Sequence, residues 1–338
     1  MNQARPGIDP QLHAVLADMP LMSQLSPEVV AQLRRAPSTP VETILDGRAV
    51  DRREVTVPSP DGERIPLSIF SPAGAERSPA APCVYWIHGG GMVMGDRFSN
   101  IDIPLGWLDR LGAVVISVDY RLAPEVSGTT LVDDCYCGLL WIAEHADDLG
   151  IDPARIVVAG ASAGGGLAAG VTLMARDHGT PAIAAQVLIG PMLDHRNITT
   201  SSRQYSGGPG VWTREMNEFG WRSVLGRLPD EDVPGYVSPT MADDLSGLPT
   251  TYIDAGTAEV FRDEDVDYAT RIWAAGGQAE LHVWAGGFHA FDALYPQVPV
   301  SAAARRTRTD WLTRALSPAS PAPSPSPDLP EQALQPTG

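Results

Sequence analysis

The chain contains no lysine, so all 24 of its basic side chains are arginine. Schiff-base chemistry and a lysine-dependent phosphate loop are thereby excluded. Cysteine is scarce, with Cys83, Cys135 and Cys137 the only three. An odd number without regular spacing argues against a disulfide framework. The pair Cys135 and Cys137 stands apart from any His or Cys cluster that would complete a tetrahedral zinc site. These thiols read as buried and inert, and no metal or cofactor is implied. No apolar run approaches the ~20 residues that a membrane-spanning helix needs. The opening MNQARPGIDPQLH lacks the basic stretch and apolar core of a secretory signal. A soluble, cytoplasmic protein is expected. Positive charge is also short, since 24 arginines face 41 acidic residues for a net charge of −17. Such a surface repels phosphate backbones and anionic lipid, so neither nucleic acid nor membrane is expected as a partner.

What is present in the 338 residues is one large α/β domain with additions. Residues 1–50 carry two short amphipathic patterns, Gln11 to Met19 and Pro27 to Arg35, the second opened by Ser26 as N-cap. They read as an N-terminal helical cap segment. Two β-rich runs follow, Arg53 to Val57 and Ile65 to Phe70, separated by the turn Ser59 to Gly62. Short, nearly continuous apolar runs then alternate with helical ones, which is the mark of a parallel sheet covered on both faces. The strands predicted are Cys83 to Ile87, Val114 to Val118, Ile156 to Ala159, Gln186 to Ile189, Thr251 to Asp254 and Leu281 to Trp284. The helices predicted are Leu131 to His145, Gly165 to Asp177, Asp263 to Ala275 and Ala302 to Leu316. The core therefore comprises residues 51–193 and 246–316, and residues 194–245 form an insertion that contributes to the cap. Residues 317–338, rich in Pro and Ser, cannot bury enough apolar area to order themselves and read as a disordered tail.

Gly160-Ala161-Ser162-Ala163-Gly164 lies between the apolar strand RIVVA and the helix-like GGLAAGVTLMARD. A serine on so sharp a strand-to-helix turn exposes its hydroxyl, and glycines two places to either side let the crossing backbones approach. The turn also points the Ala163 N–H and a helix N-terminus at developing negative charge. Upstream, His88-Gly89-Gly90-Gly91 follows the strand CVYWI. Glycines there let backbone N–H groups turn inward as oxyanion donors. A plain turn would account for either motif alone, but not for their order.

With these motifs the chain resembles the hormone-sensitive-lipase family of esterases, the HGGG group of the α/β-hydrolase fold. The resemblance runs from about Val84 to Ala293 and includes Val118-Asp119-Tyr120-Arg121-Leu122-Ala123-Pro124-Glu125. It implies a mostly parallel central sheet flanked by helices, with a helical cap, and a small-molecule ester as substrate. It also implies pairing of two copies through the edge strand near Ala279 to Trp284.

A serine nucleophile needs a base, and the base an orienting carboxylate, in the chain order Ser, acid, His. His282 lies within the alternation AELHVW and reads as a strand residue, whereas His289 follows Ala-Gly-Gly-Phe in a post-strand loop. Phe288-His289-Ala290-Phe291 matches the family pattern with Ala for the usual Gly. The family's Asp-Pro-Leu-x-Asp becomes Glu259-Val260-Phe261-Arg262-Asp263, which puts Glu259 at the acid position, 97 residues after Ser162 and 30 before His289. Asp254 and Asp263 compete for the role, the first at a strand end and the second as a first-turn helix acid.

The sequence thus predicts acyl transfer by Ser162, His289 and Glu259, with Gly90, Gly91 and Ala163 holding the oxyanion. Short- to medium-chain carboxylic esters are the expected substrates. An amidase or lactonase would use the same triad, and a non-catalytic binding protein on the same fold is a different class. A third reading gives the Pro/Ser tail an interaction role. Met19, Leu21, Met22, Phe98, Trp212, Phe219 and Trp221 are the candidate pocket residues, with cap packing as the plainer explanation.

Overall fold

A computed structural model describes residues 4–74, 80–226 and 232–317. Its centre is one eight-stranded sheet in the order β1-β2-β4-β3-β5-β6-β7-β8. The strands are β1 (Val50–Pro58), β2 (Arg64–Pro72), β3 (Ala81–Ile87), β4 (Val114–Val118), β5 (Ile151–Ala161), β6 (Ala185–Ile189), β7 (Thr250–Ala258) and β8 (Ala279–Phe288). β1 and β2 pair antiparallel, as does β2 with β4, and every pairing from β4 to β8 is parallel. This is the mostly parallel sheet that the alternation of strands and helices predicts, in the α/β-hydrolase arrangement that the resemblance implies.

The apolar runs are continuous because both faces are covered. In β3, Cys83, Tyr85 and Ile87 feed one core, while Val84 and Trp86 feed the other. The first core packs under α5 (Thr130–Glu144), α7 (Ala163–His178) and α10 (Arg262–Ala274). The second packs under α4 (Asp102–Leu111) and α12 (Pro299–Ala315). Helix α4 escaped the sequence pattern because Pro104 and Gly106 interrupt it. Pro104 nevertheless sits in the first turn, where backbone N–H groups have no intrahelical partner to lose. Short helices complete the chain: α1 (Pro10–Leu16), α2 (Pro27–Arg35), α3 (Val41–Leu45), α6 (Ala146–Leu149), α8 (Thr200–Gln204), α9 (Arg214–Leu225) and α11 (Phe291–Leu294).

The N-terminal segment and the insertion meet above the C-terminal ends of the strands. Asp9 caps α1 by accepting from the N–H groups of Gln11 and Leu12, and Ser26 caps α2 by accepting from Val29 N–H. A single β-bridge joins Met22 to Gly210, and the Thr213 hydroxyl donates to the Ser23 carbonyl at 2.8 Å. β8 forms one edge of the sheet, with Val283 exposed. Cys83 and Cys135 are fully buried, but Cys137 is only half-buried, so the reading of all three as interior thiols holds for two. Among the described residues no helix is long and apolar enough to cross a membrane. The tail predicted to be disordered lies outside the described residues from 318 onward.

Candidate active site

Ser162 stands between β5 and α7 with φ 57° and ψ −124°, the strained turn of a nucleophile elbow. Its own N–H donates to the Ile189 carbonyl at 2.8 Å, and its carbonyl accepts from Gly166 and Met192. These bonds hold the serine at the ends of β5 and β6. Gly164 is required because a Cβ there would run into the carbonyls of Ile87 and His88.

The elbow is joined to two further residues by hydrogen bonds. His289 Nε2 lies 2.9 Å from Ser162 Oγ, and His289 Nδ1 lies 2.6 Å from Glu259 Oε2. The tautomer that satisfies both has Nδ1–H donating to the carboxylate and Nε2 accepting from the hydroxyl. The second carboxylate oxygen of Glu259 accepts from the Gly256 N–H at 2.5 Å, so both oxygens are held. Glu259 is 2 % exposed and His289 7 %, which keeps this row dry except on the cavity side. Phe261 meets the His289 ring edge-on, with centroids 5.0 Å apart. Ala290, which replaces the usual glycine, takes a φ of 62° and accepts left-handed strain costing about 1–2 kcal/mol.

The structure puts the rival residues to other uses. Asp263 sits in the first turn of α10 and accepts from the Ser201 N–H at 2.7 Å. Asp254 lies buried in β7 against Arg308. His282 is a half-buried strand residue, stacked between Tyr252 and Trp284 and bonded to Glu280 at 2.9 Å.

Beside the elbow runs the loop of Gly90 and Gly91, with φ 116° and 62°. A side chain at Gly91 would collide with the Trp212 ring. Ala163 is the first residue of α7, whose leading N–H groups have no intrahelical acceptor. Among the described residues, no acceptor is bonded to the N–H of Gly90, Gly91 or Ala163. His88 shapes the loop: its Nδ1 lies 2.7 Å from the Gly89 carbonyl, and its ring stacks on Tyr120 at 4.3 Å. Burial holds the His88 imidazole below its ordinary value, hence neutral. The Tyr120 hydroxyl donates to the His88 carbonyl at 2.9 Å, and the Ala123 N–H donates to the Met92 carbonyl. The segment Val118 to Glu125, noted in the sequence only as a family match, is therefore the brace of the glycine loop.

A cavity of about 360 Å³ opens onto Ser162. Met19, Met22, Leu25 and Leu33 line it from the N-terminal segment, and Val211, Trp212 and Met216 from the insertion. Four of the expected lining residues are elsewhere. Phe98 lies under the guanidinium groups of Arg52 and Arg97, Trp221 packs on His195, Phe219 faces a groove beside Pro27, and Leu21 is absent from the cavity. On α9, Met216 lines the cavity while Phe219 lines the groove beside Pro27. Among the described residues no group of three or more His, Cys, Asp or Glu side chains is placed to hold a metal ion.

Two features were missed in the sequence. Asn100, in a left-handed conformation with φ 55°, lines the cavity. Arg308 is buried behind it in contact with Asp254 and Asp292. A signal for the second existed, since Arg308 falls on the helical stripe of Ala304, Trp311 and Leu312.

Comparison with known proteins agrees with this geometry. Residues 84–293 match the model of a family described by the alpha/beta hydrolase fold. The chain is 34% identical to Esterase LipI of Mycobacterium tuberculosis over 281 residues, covering 82% of this chain and 86% of that protein. It is 32% identical over 318 residues to Carboxylesterase NlhH of the same organism, covering 93% and 98%. Among solved structures, Bacterial Heroin Esterase superposes with a TM-score of 0.84 at 36% identity, covering 92% of this chain and 98% of that one. Esterase LipW from Mycobacterium marinum gives 0.82 at 31%, covering 93% and 99%. The chain belongs to the α/β-hydrolase family, in its hormone-sensitive-lipase group, whose matched members here are esterases.

Proposed function

We propose that this protein is a serine carboxylesterase that hydrolyses short- to medium-chain esters through an acyl-enzyme intermediate. The observation that carries the reading is the unbroken row Ser162 Oγ, His289 and Glu259, with links of 2.9 and 2.6 Å. His289 Nε2 takes the proton from Ser162 as its oxygen attacks the ester carbonyl carbon. The carbonyl oxygen gains negative charge and receives hydrogen bonds from the N–H groups of Gly90, Gly91 and Ala163. Glu259 keeps the imidazolium oriented and stabilised. The alcohol oxygen leaves with the proton from Nε2, and Ser162 retains the acyl group. Water then gives its proton to His289, attacks the acyl carbon and releases the carboxylic acid, and the proton returns to Ser162.

The names of the relatives support ester hydrolysis over amide or lactone chemistry. The volume of about 360 Å³ and the apolar walls from Met19, Met22, Leu25 and Trp212 support small to medium substrates. The test compares p-nitrophenyl butyrate and p-nitrophenyl palmitate on wild type and Ser162→Ala. The expected result is turnover of butyrate well above palmitate, with loss of about 10⁴-fold or more in kcat for the variant. An inert wild type, or a Ser162→Ala protein that retains activity, overturns the proposal.

A further inference from the structure

A buried arginine on α12 connects the two segments that carry the proposed acid and base. Arg308 is 1 % exposed and its charge demands partners. Its Nη2 donates to both carboxylate oxygens of Asp254, at 3.1 and 2.8 Å, and its Nη1 donates to Asp292 Oδ2 at 3.0 Å. Asp254 lies in β7 five residues before Glu259, and Asp292 lies three residues after His289. Both aspartates also line the active-site cavity. Asp254 Oδ2 accepts further bonds from the Tyr252 hydroxyl at 3.2 Å and from Trp284 Nε1 at 3.3 Å. The backbone of Asp254 is fixed as well, since its carbonyl accepts from the Gly190 N–H at 2.6 Å.

The place of this cluster matters because the sheet ladder fails nearby. β7 and β8 pair regularly up to Gly256 with Trp284, and the register then shifts so that Ala258 opposes Phe288. The shift falls where each strand delivers its functional residue, Glu259 one residue after Ala258 and His289 one residue after Phe288. Backbone hydrogen bonds therefore restrain these two ends less than they restrain the strand interiors. The ion cluster spans the same gap with side chains.

We infer that Arg308, through Asp254 and Asp292, is a positioning residue that sets the spacing of Glu259 and His289. The inference rests on the triad reading above. Arg305 adds to the cluster from the same helix, with Nε donating to the Asp292 carbonyl at 3.0 Å.

The test uses Asp292→Ala, Asp292→Asn and the neutral triple variant Asp254→Asn/Arg308→Met/Asp292→Asn, all in the full chain. Asp292→Asn leaves Arg308 and Asp254 as a balanced pair, so its fold is retained. Each is assayed for kcat and KM on p-nitrophenyl butyrate, for Tm, and by proton NMR for the downfield Nδ1–H resonance of the His289–Glu259 hydrogen bond. Positioning predicts that Asp292→Ala loses about 10- to 100-fold in kcat with KM within about twofold, and that the resonance moves or broadens. Asp292→Asn recovers most of the loss. The triple variant melts near wild type, because a neutral replacement of a buried ion cluster is well tolerated, yet it is slow. A triple variant with wild-type Tm, kcat and resonance overturns the inference, and so does a folded Asp292→Ala with both readouts unchanged. If wild type itself is inert on esters, the esterase reading fails, while the resonance still reports whether the cluster holds the pair.

Discussion

Asp265 is the residue least suited to its surroundings. It is wholly buried in the first turn of α10, and neither carboxylate oxygen has a hydrogen-bond partner among the described residues. Burial, followed by the neighbouring carboxylates Glu264, Glu259 and Asp254, pushes its carboxyl well above the ordinary range. Glu264 is raised for the same first cause, although it accepts from the N–H groups of Leu193 and Asp194. The sign follows from linkage. A carboxyl raised in the folded state takes up a proton on folding, so its contribution is complete below the unfolded value near pH 4 and is lost as pH rises toward the folded one. Asp265→Asn, which mimics the neutral acid, is expected to raise Tm, with a gain that grows between pH 5 and 8. Melting curves at those two pH values decide it, and an equal or lower Tm at pH 8 refutes the account. At this scale the sequence was uneven. Ser162 and His289 were legible because their neighbours form motifs, and Glu259 only through the resemblance to the family's acid motif, with Asp254 and Asp263 as rivals. Asp263 reads as a first-turn helix acid, but nothing in the sequence marks Asp265, two residues on, as a buried one.

At the scale of elements, Thr213 performs two tasks. Its hydroxyl accepts from the Met216 N–H at 3.1 Å as N-cap of α9, and donates to the Ser23 carbonyl across the cavity roof. Thr213→Val keeps the shape and removes both bonds, at a cost of about 1–2 kcal/mol. Met216 and Trp212 flank this position and line the cavity. The expected outcome is a lower Tm and a KM raised several-fold, with kcat less affected; steady-state kinetics on p-nitrophenyl butyrate check it, and an unchanged KM counts against the role. Strands were the most readable elements, since β3 beyond Ala81 and all of β4 and β6 are buried and, apart from Ser117 and Gln186, apolar. The boundaries were less so. β5 begins at Ile151, ahead of the apolar run, because residue 151 already pairs with Ala81 across a register shift. The predicted cap helices exist, but which of their faces meets the cavity depends on contacts with β8 and the glycine loop. Leu21, between α1 and α2, and Trp221, on the buried side of α9, were misassigned because the sequence did not show which way those segments face.

For the whole molecule, charge is the governing property. The net charge is −17, and Asp254, Glu259 and Asp292 line the cavity, whose described lining includes no arginine. An ester bearing a free carboxylate therefore approaches against the field. Mono-p-nitrophenyl glutarate is expected to show a lower kcat/KM than neutral p-nitrophenyl valerate at 10 mM salt. The gap should narrow at 0.5 M salt, where the screening length falls from about 30 Å to only a few ångströms. A ratio insensitive to salt excludes steering. The alternation of elements in the sequence was enough to indicate a parallel sheet, but not the strand order, which depends on crossovers between distant segments. Those long separations have a further consequence, in the order of biosynthesis. Met22 and Ser23 bond to Gly210 and Thr213, and the Asp9 N–H, ahead of α1, donates to the Gly286 carbonyl. The stretch from Asp9 to Ser23 therefore meets these partners only once Gly210, Thr213 and Gly286 have been made, and this side of the cavity roof closes no earlier.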